Sequence, residues 1–332
     1  MTNDSTLQSA DTSDQSPIDQ RKALTNTKIA ETYGIVDPFA FTNVLFVKAT
    51  LPHSVRGAKA GKIVLHNGSM TVTMTSTSEE GILPYGHLAR LFLIWLTREV
   101  HLRKNDPNLD SETARTIPLK GSAHRILHEM GLVKPGKRAG RSQYLALTQQ
   151  IERLTSTTIS VSYSVKNSKG QGRSTKRMQI SDQDFFWYDH EDGSGKRSED
   201  FGSASHLVLS EVFFDWLTKR TVPLSMFHIV QFHRSPLTLD LYGWAAYRKK
   251  THSGYTRVTW EQLKGQIGSS YPDTPRGMAD FRRKVRISIV QIKEAWSEAG
   301  ITEWSGGIVL EGKETPINPR KAQDEGSVSP NF

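Results

Sequence analysis

The sequence predicts an α+β fold built as two tandem units between disordered ends. Three observations carry this. Helical and strand patterns are interleaved along the chain. The order helix, short helix, helix, β-hairpin occurs twice. Both ends are polar. At 332 residues, with 36% hydrophobic and 23% charged side chains, the chain can bury two cores.

Residues 1–35 are rich in Ser, Thr, Asp, Gln and Asn. They hold too few large apolar groups to offset ordering entropy and are predicted to be a disordered tail. Residues 311–332 have a similar composition and the same prediction.

The first unit is placed at 36–190. Phe41 to Val47 and Lys62 to Leu65 are short apolar β stretches, and Met70 to Thr75 alternates with Met70, Val72 and Met74 on one face. Pro84 opens a helix running to about Lys104, where its missing N–H costs nothing. Leu88, Leu91, Phe92, Trp95 and Leu96 form the apolar face of that helix. Thr116 to Leu119 suits a short strand, and Ser122 to Met130 a short helix stopped by Gly131. A Gly-rich basic turn, Lys134 to Arg141, leads into a helix ending near Leu154. Ile159 to Val165 and Met178 to Trp187 alternate as hairpin strands, joined by the Gly- and Lys-rich link Lys166 to Arg177. A linker is placed at 191–205, in a stretch of Gly, Ser, Asp and Glu.

The second unit is placed at 206–310. His206 to Leu209 reads as a strand and Glu211 to Thr218 as a helix. Ser225 to Phe232 is a further helix candidate, and Pro236 to Lys249 is a strong one. Thr259 caps a short helix to Ile267, and Asp280 to Ala299 is a long helix with Gly300 beyond its end. Ile301 to Trp304 and Gly307 to Leu310 form a closing hairpin around Ser305-Gly306-Gly307. In both units the order is that of a winged helix, a helix-turn-helix with a β-hairpin appended.

Charge points to the partner. The net charge is +9 and there is no cysteine. The basic balance favours a polyanion, nucleic acid before an anionic membrane. The missing thiols exclude disulfides, thiolate metal sites and Cys nucleophiles. Apolar runs such as Leu91 to Leu96 fall far short of the roughly 20 residues that span a bilayer. The N-terminus lacks the basic start and apolar centre of a signal peptide. A cytoplasmic protein is expected.

The long helix Asp280 to Ala299 is the most informative segment. Phe281, Val285, Ile289, Ile292, Trp296 and Ala299 share one face, while Arg282, Arg286 and Lys293 lie together on a neighbouring face with Arg283 and Lys284 close in sequence. No acidic residue occurs from Phe281 until Glu294. An arginine fork bonds guanine O6 and N7, or a phosphate, through two N–H groups. In the first unit Lys137, Arg138 and Arg141 cluster with Lys134 at the turn into a helix that carries Gln149 and Arg153 on its far side. Lys169 and Arg173 mark the hairpin link, which suits a wing following a phosphate backbone. These twelve positions, Lys134 apart, are the expected DNA contacts.

Catalytic patterns are poor. There is no G-x-x-x-x-G-K-[ST], and His128-Glu129 lacks the second histidine of H-E-x-x-H. His87, His101, His124 and His128 do not make a metal spacing. No enzyme activity, cofactor or metal is expected, although a metal-dependent nuclease or nicking enzyme is an alternative of another class. Phe185, Phe186, Trp187 and Tyr188 are adjacent, but strand alternation turns half of them to the core. Trp95, Trp216, Trp244, Trp260 and Trp296 sit on apolar helix faces and read as core.

Leu83-Pro84-Tyr85-Gly86, Arg90-Leu91 and Trp95-Leu96-Thr97 form a set of short patterns with Gly140-Arg141-Ser142, Ile151-Glu152-Arg153-Leu154, Leu239-Asp240-Leu241-Tyr242 with Trp244, Trp260 to Leu263, and Phe281-Arg282-Arg283-Lys284. In order and spacing the set resembles the RepA-type plasmid replication initiators over about residues 40–310. The resemblance implies tandem winged-helix domains that bind repeated double-stranded sites (iterons) at a plasmid origin. It further implies opening of adjacent DNA, recruitment of the host initiator and helicase, and a homodimer in equilibrium with monomer. By that analogy Arg282, Arg283, Lys284 and Arg286 read bases, and the first domain supplies phosphate contacts and the dimer interface. The alternative within the same class is a winged-helix repressor with no replication role.

Overall fold

The computed structural model describes residues 17–119, 121–186, 202, 204–252, 254–268 and 270–317. The chain opens with α1 (Pro17–Tyr33), β1 (Phe39–Asn43), α2 (Val44–Lys48) and α3 (Val55–Ala58). A hairpin of β2 (Lys62–Asn67) and β3 (Met70–Ser76) leads into the long α4 (Gly86–Lys104). Then come α5 (Ser111–Arg115), β4 (Thr116–Pro118), α6 (Ser122–Glu129), α7 (Arg141–Thr155), β5 (Thr157–Asn167), β6 (Gly170–Gln179) and β7 (Ser181–Phe185). The rest is β8 (His206–Leu209), α8 (Glu211–Lys219), β9 (Thr221–Ser225), α9 (Met226–Phe232), α10 (Pro236–Thr251), β10 (Thr256–Thr259), α11 (Trp260–Ile267), α12 (Pro275–Ala295), β11 (Ile301–Trp304) and β12 (Gly307–Leu310).

The described strands make four antiparallel sheets, ordered β1-β9, β2-β3-β5-β6, β4-β8-β7 and β10-β12-β11. Two of them join distant parts of the chain. Phe39–Asn43 pairs with Thr221–Ser225, and β8 lies between β4 and β7. The β9 strand escapes sequence patterning because Pro223 interrupts it.

The core is continuous through both halves, with α4 and α10 at its centre. On α4 every residue from Ala89 to Thr97 is buried, and α10 buries Leu237, Leu241, Tyr242, Trp244 and Ala245 among others. A helix apolar around most of its circumference belongs inside a protein. These two meet at an ion pair. Arg90 Nε lies 2.7 Å from Asp240 Oδ1, and Arg90 Nη2 2.7 Å from Asp240 Oδ2. The remaining Arg90 donors reach the carbonyls of Leu51 (2.6 Å), Gly86 (2.8 Å) and Pro52 (3.2 Å), so every N–H of the guanidinium is used. His53 Nε2 completes the cluster 2.8 Å from Asp240 Oδ2. Burial alone raises the Asp240 carboxyl, but the Arg90 charge and the hydrogen bonds from His53 and Arg90 outweigh it, leaving the group below its ordinary value.

Several expectations are corrected. The predicted N-terminal tail contains helix α1, because Ile29 and Tyr33, one turn apart, pack against the core; residues 1–16 lie outside the described residues. Residues 311–317 are described without helix or strand, and Lys249 Nζ donates to Glu311 O at 2.8 Å. Residues 318–332, and most of the predicted 191–205 linker, lie outside the described residues, as do Trp187 and Tyr188. The β stretch Phe41 to Val47 breaks at Asn43, whose side chain accepts from Leu45 N at 2.8 Å and so caps α2. The predicted loop before Thr116 contains α5, capped by Asp110, whose side chain accepts from Thr113 N at 2.7 Å. The Lys166 to Arg177 link is mostly strand: β5 and β6 pair from Thr158↔Gln179 to Asn167↔Gly170, leaving only Ser168 and Lys169 at the turn. Ser181–Phe185 leaves that hairpin and pairs with β8.

Candidate nucleic-acid interface

Helix α12 begins at Pro275, five residues before the predicted start. Thr274 caps it, its hydroxyl accepting from Gly277 N at 3.0 Å, and Pro275 occupies the first turn. Gly277 is required by close approach, since a Cβ there would lie 2.2 Å from Pro272 O. The helix ends at Ala295; a 3₁₀ turn, Ser297–Ala299, follows, and Gly300 closes it at φ 58°. The inward face is the predicted one. Phe281, Val285, Ile289 and Ile292 are buried, and Ser288 bonds Thr238 of α10 through its hydroxyl at 2.9 Å.

The predicted cations of α12 divide into three groups. Arg282 and Arg286 are held by carboxylates of neighbouring elements. Arg282 Nη2 lies 3.3 Å from Glu261 Oε1 on α11, and Arg286 Nη2 lies 2.6 Å from Glu303 Oε1 on β11. Both guanidinium groups also lie over the Trp260 ring, 5.8 Å and 5.7 Å from its centroid. The sequence shows no acidic residue from Phe281 to Lys293; the carboxylates that hold Arg282 and Arg286 come from elements adjacent only in space. Hydrogen bonding from Arg286 holds the Glu303 carboxyl below its ordinary value.

Arg283 and Lys293 face solvent. The Arg283 side chain is 61% exposed, with Asp280 Oδ1 3.7 Å from its Nη2. Lys284 stands alone on the opposite flank, about 200° around the helix from Arg282, with its ammonium 5.5 Å from the Tyr271 centroid. Sequence reasoning missed Arg276, which is exposed in the first turn and in line with Arg283 two turns on. Thr274-Pro275 is the signal that would have found it, because a cap followed by proline marks a helix start. It also missed Arg257 of β10, whose guanidinium lies 3.5 Å from the centroid of Trp304 at the end of β11.

The first half is less uniform. Lys134, Lys137, Arg138 and Arg141 are all exposed at the turn into α7. Gln149 and Arg153 are not part of that basic surface. Arg153 is 8% exposed, with Nη2 2.8 Å from Glu80 Oε2 and its guanidinium over the Tyr85 ring. Gln149 lines a cleft with Glu79, Glu80, Glu152 and Asp184. Burial, and then Glu152, push the Asp184 carboxyl up. An acidic cleft repels phosphate, so these two positions are withdrawn as contacts. On the β5–β6 hairpin, Lys169 is at the turn and Arg173 is exposed on β6, its Nη2 donating to Ser162 Oγ at 3.1 Å.

Among the described residues no group of His, Asp and Glu could hold a metal ion, and no helix is long and apolar enough to cross a membrane. A sequence model of the plasmid-encoded RepA protein family matches residues 83–262, just over half of the chain. The chain belongs to the RepA family of plasmid replication initiators. No curated protein matches the sequence. The fold of this RepA-family chain is similar to that of domains 2 and 3 of RctB, with a TM-score of 0.51 at 11% identity over 82% of this chain and 97% of that one. A second RctB structure of domains 2–3, residues 155–483, gives a TM-score of 0.42 at 12% identity over 75% of this chain and 90% of that one. The family match ends at residue 262, within α11, so α12 lies beyond it.

Proposed function

We propose that this RepA-family chain initiates plasmid replication by binding repeated duplex sites at the origin, with α12 as the helix that reads bases. The observation that carries this is the outward line of α12. Its inner face is buried in the core, while Arg276 and Arg283 face solvent on the other side. The surroundings support the reading. The order α10, β10, α11, α12 and the β11–β12 hairpin, with β12 between β10 and β11, suits a winged helix whose third helix enters the major groove.

The first half, with α4, β4, α6, α7 and the β5–β6 hairpin, suits a second winged helix. Lys134, Lys137, Arg138, Arg141, Lys169 and Arg173 would set register on phosphates without reading sequence. Arg282 and Arg286 hold α12 to α11 and β11, and can exchange their exposed carboxylate partners for phosphate. The proposal includes opening of adjacent DNA, recruitment of a host initiator and helicase, and a dimer in exchange with monomer; membership of a plasmid replication family supports this reading. No catalytic step is part of the proposal.

Binding of the Arg283→Ala variant to a duplex from the parent plasmid's origin, and to a random duplex, tests it. The expected loss is about 1–3 kcal/mol on the origin duplex and less on the random one. Equal losses on both overturn base reading by α12.

A further inference from the structure

Helix α12 leaves two large apolar side chains in solvent: Ile287, 50% exposed, and Val290, 56% exposed. Its other branched apolar residues, Val285, Ile289 and Ile292, are buried. Ile287 and Val290 stand at i+4 and i+7 from Arg283, so the three side chains are neighbours on the outermost line of the helix. Helix propensity does not explain them, because β-branched residues are poorer helix formers than the polar alternatives. Single exposed apolar residues are ordinary on any surface. The informative feature is the setting of this pair.

Arg283 and Lys293 border the pair together with Arg286, which Glu303 holds in the free protein, and Glu294 closes it toward the C-terminus. Cations around an apolar patch oppose docking of a second copy of the same face and favour a polyanion. In the major groove of a duplex, the apolar feature is the C5 methyl group of thymine. We propose that Ile287 and Val290 contact thymine methyl groups, so that α12 reads T through this pair as well as G through Arg283. The proposal rests on the reading of α12 as the helix that enters the groove.

The test uses the full chain and the parent plasmid's origin fragment, amplified either with thymidine triphosphate or with deoxyuridine triphosphate. The two fragments differ only in the methyl groups. The wild type is expected to bind the uracil form about fourfold more weakly per contacted methyl, the factor equivalent to ~0.8 kcal/mol for one buried carbon. The Ile287→Ala/Val290→Ala double variant is expected to bind the thymine form more weakly than wild type and both forms alike. Alanine is the better helix former at these exposed positions, so the variant keeps its fold.

Equal binding of both forms by the wild type overturns the proposal. So does an undiminished uracil loss in the variant, which assigns the methyl effect to DNA stiffness. A fall in sedimentation mass of the variant that accounts for its weaker binding assigns the patch to chain–chain contact instead. A wild type that fails to prefer the origin fragment over a scrambled one overturns the deeper reading, that α12 reads bases at all.

Discussion

Glu303 on β11 grips Arg286 on α12 through two donors, with Nε 2.9 Å from Oε2 and Nη2 2.6 Å from Oε1. The pair is open to solvent, with side chains 52% and 35% exposed. It therefore contributes little to folding, and its larger effect is on what approaches α12. On the function proposed above, a carboxylate beside α12 repels phosphate in any sequence. It also keeps a flexible cation from binding phosphates indiscriminately.

Replacing Glu303 with Gln removes that charge and releases Arg286. Affinity for random duplex DNA is expected to rise about threefold at low salt, with a steeper salt dependence. Affinity for the origin should rise less, so discrimination falls. Fluorescence anisotropy on both duplexes across a salt series measures this. Unchanged affinity for random DNA would show that Glu303 faces away from the bound duplex.

Arg153 gives the opposite expectation. It is buried against Tyr85 and paired with Glu80, so Arg153→Ala should cost about 1–2 kcal/mol of stability through a lost ion pair and ring contact. The salt slope of DNA binding should not change. Urea unfolding and a salt titration on one preparation separate the two effects; a shallower slope at full stability would return Arg153 to the DNA surface.

Acid should weaken the fold before it affects the cationic surface. Burial, and then the charges of His233, Arg234 and Arg90, lower His87 from 6.5 to about 4, and burial also lowers His53. Such a histidine takes up its proton on unfolding, so stability falls as pH drops from about 6.5 toward the folded value. Asp240, lowered in the fold, adds stability above the ordinary carboxylate range that is lost as pH falls through its folded value. Glu129 and Asp184, raised by burial, act the other way at their own pH range. The upper part of the histidine window, from pH 6.5 to 5, lies above the ordinary carboxylate range. There the unfolding free energy should drop by about 1–2 kcal/mol, and His87→Gln should flatten the drop. A wild-type urea midpoint that holds steady over this range would contradict the assignment.

Periodicity made much of this architecture legible. The buried faces of α4 and α12, the capping box at Thr259 and the closing β11–β12 hairpin follow from spacing and turn chemistry alone. What stayed hidden depends on distant pairing. The β1–β9 ladder joins residues that no local window connects, and Pro223 masks one of its strands. In the candidate interface, helix period grouped Arg282, Arg286 and Lys293 beside the buried face with Arg283 next to them, and Arg283, Arg286 and Lys293 are exposed. It could not foresee that Glu261 and Glu303 would claim Arg282 and Arg286, or that Glu80 would draw Arg153 inward. Charge counted along a chain omits the counter-charges brought beside it by folding.

The buried Arg90–Asp240 clasp turns the molecule into a gauge. It joins the second turns of α4 and α10, and α10 in turn bonds α12 through Thr238 and Ser288. On the function proposed above, the protein then accepts one phase between the two patches of DNA it touches. An extra half turn of duplex, about five base pairs, would carry one patch to the far side of the double helix. On that proposal, the spacing between the two patches is held by a carboxylate and a guanidinium buried inside the protein.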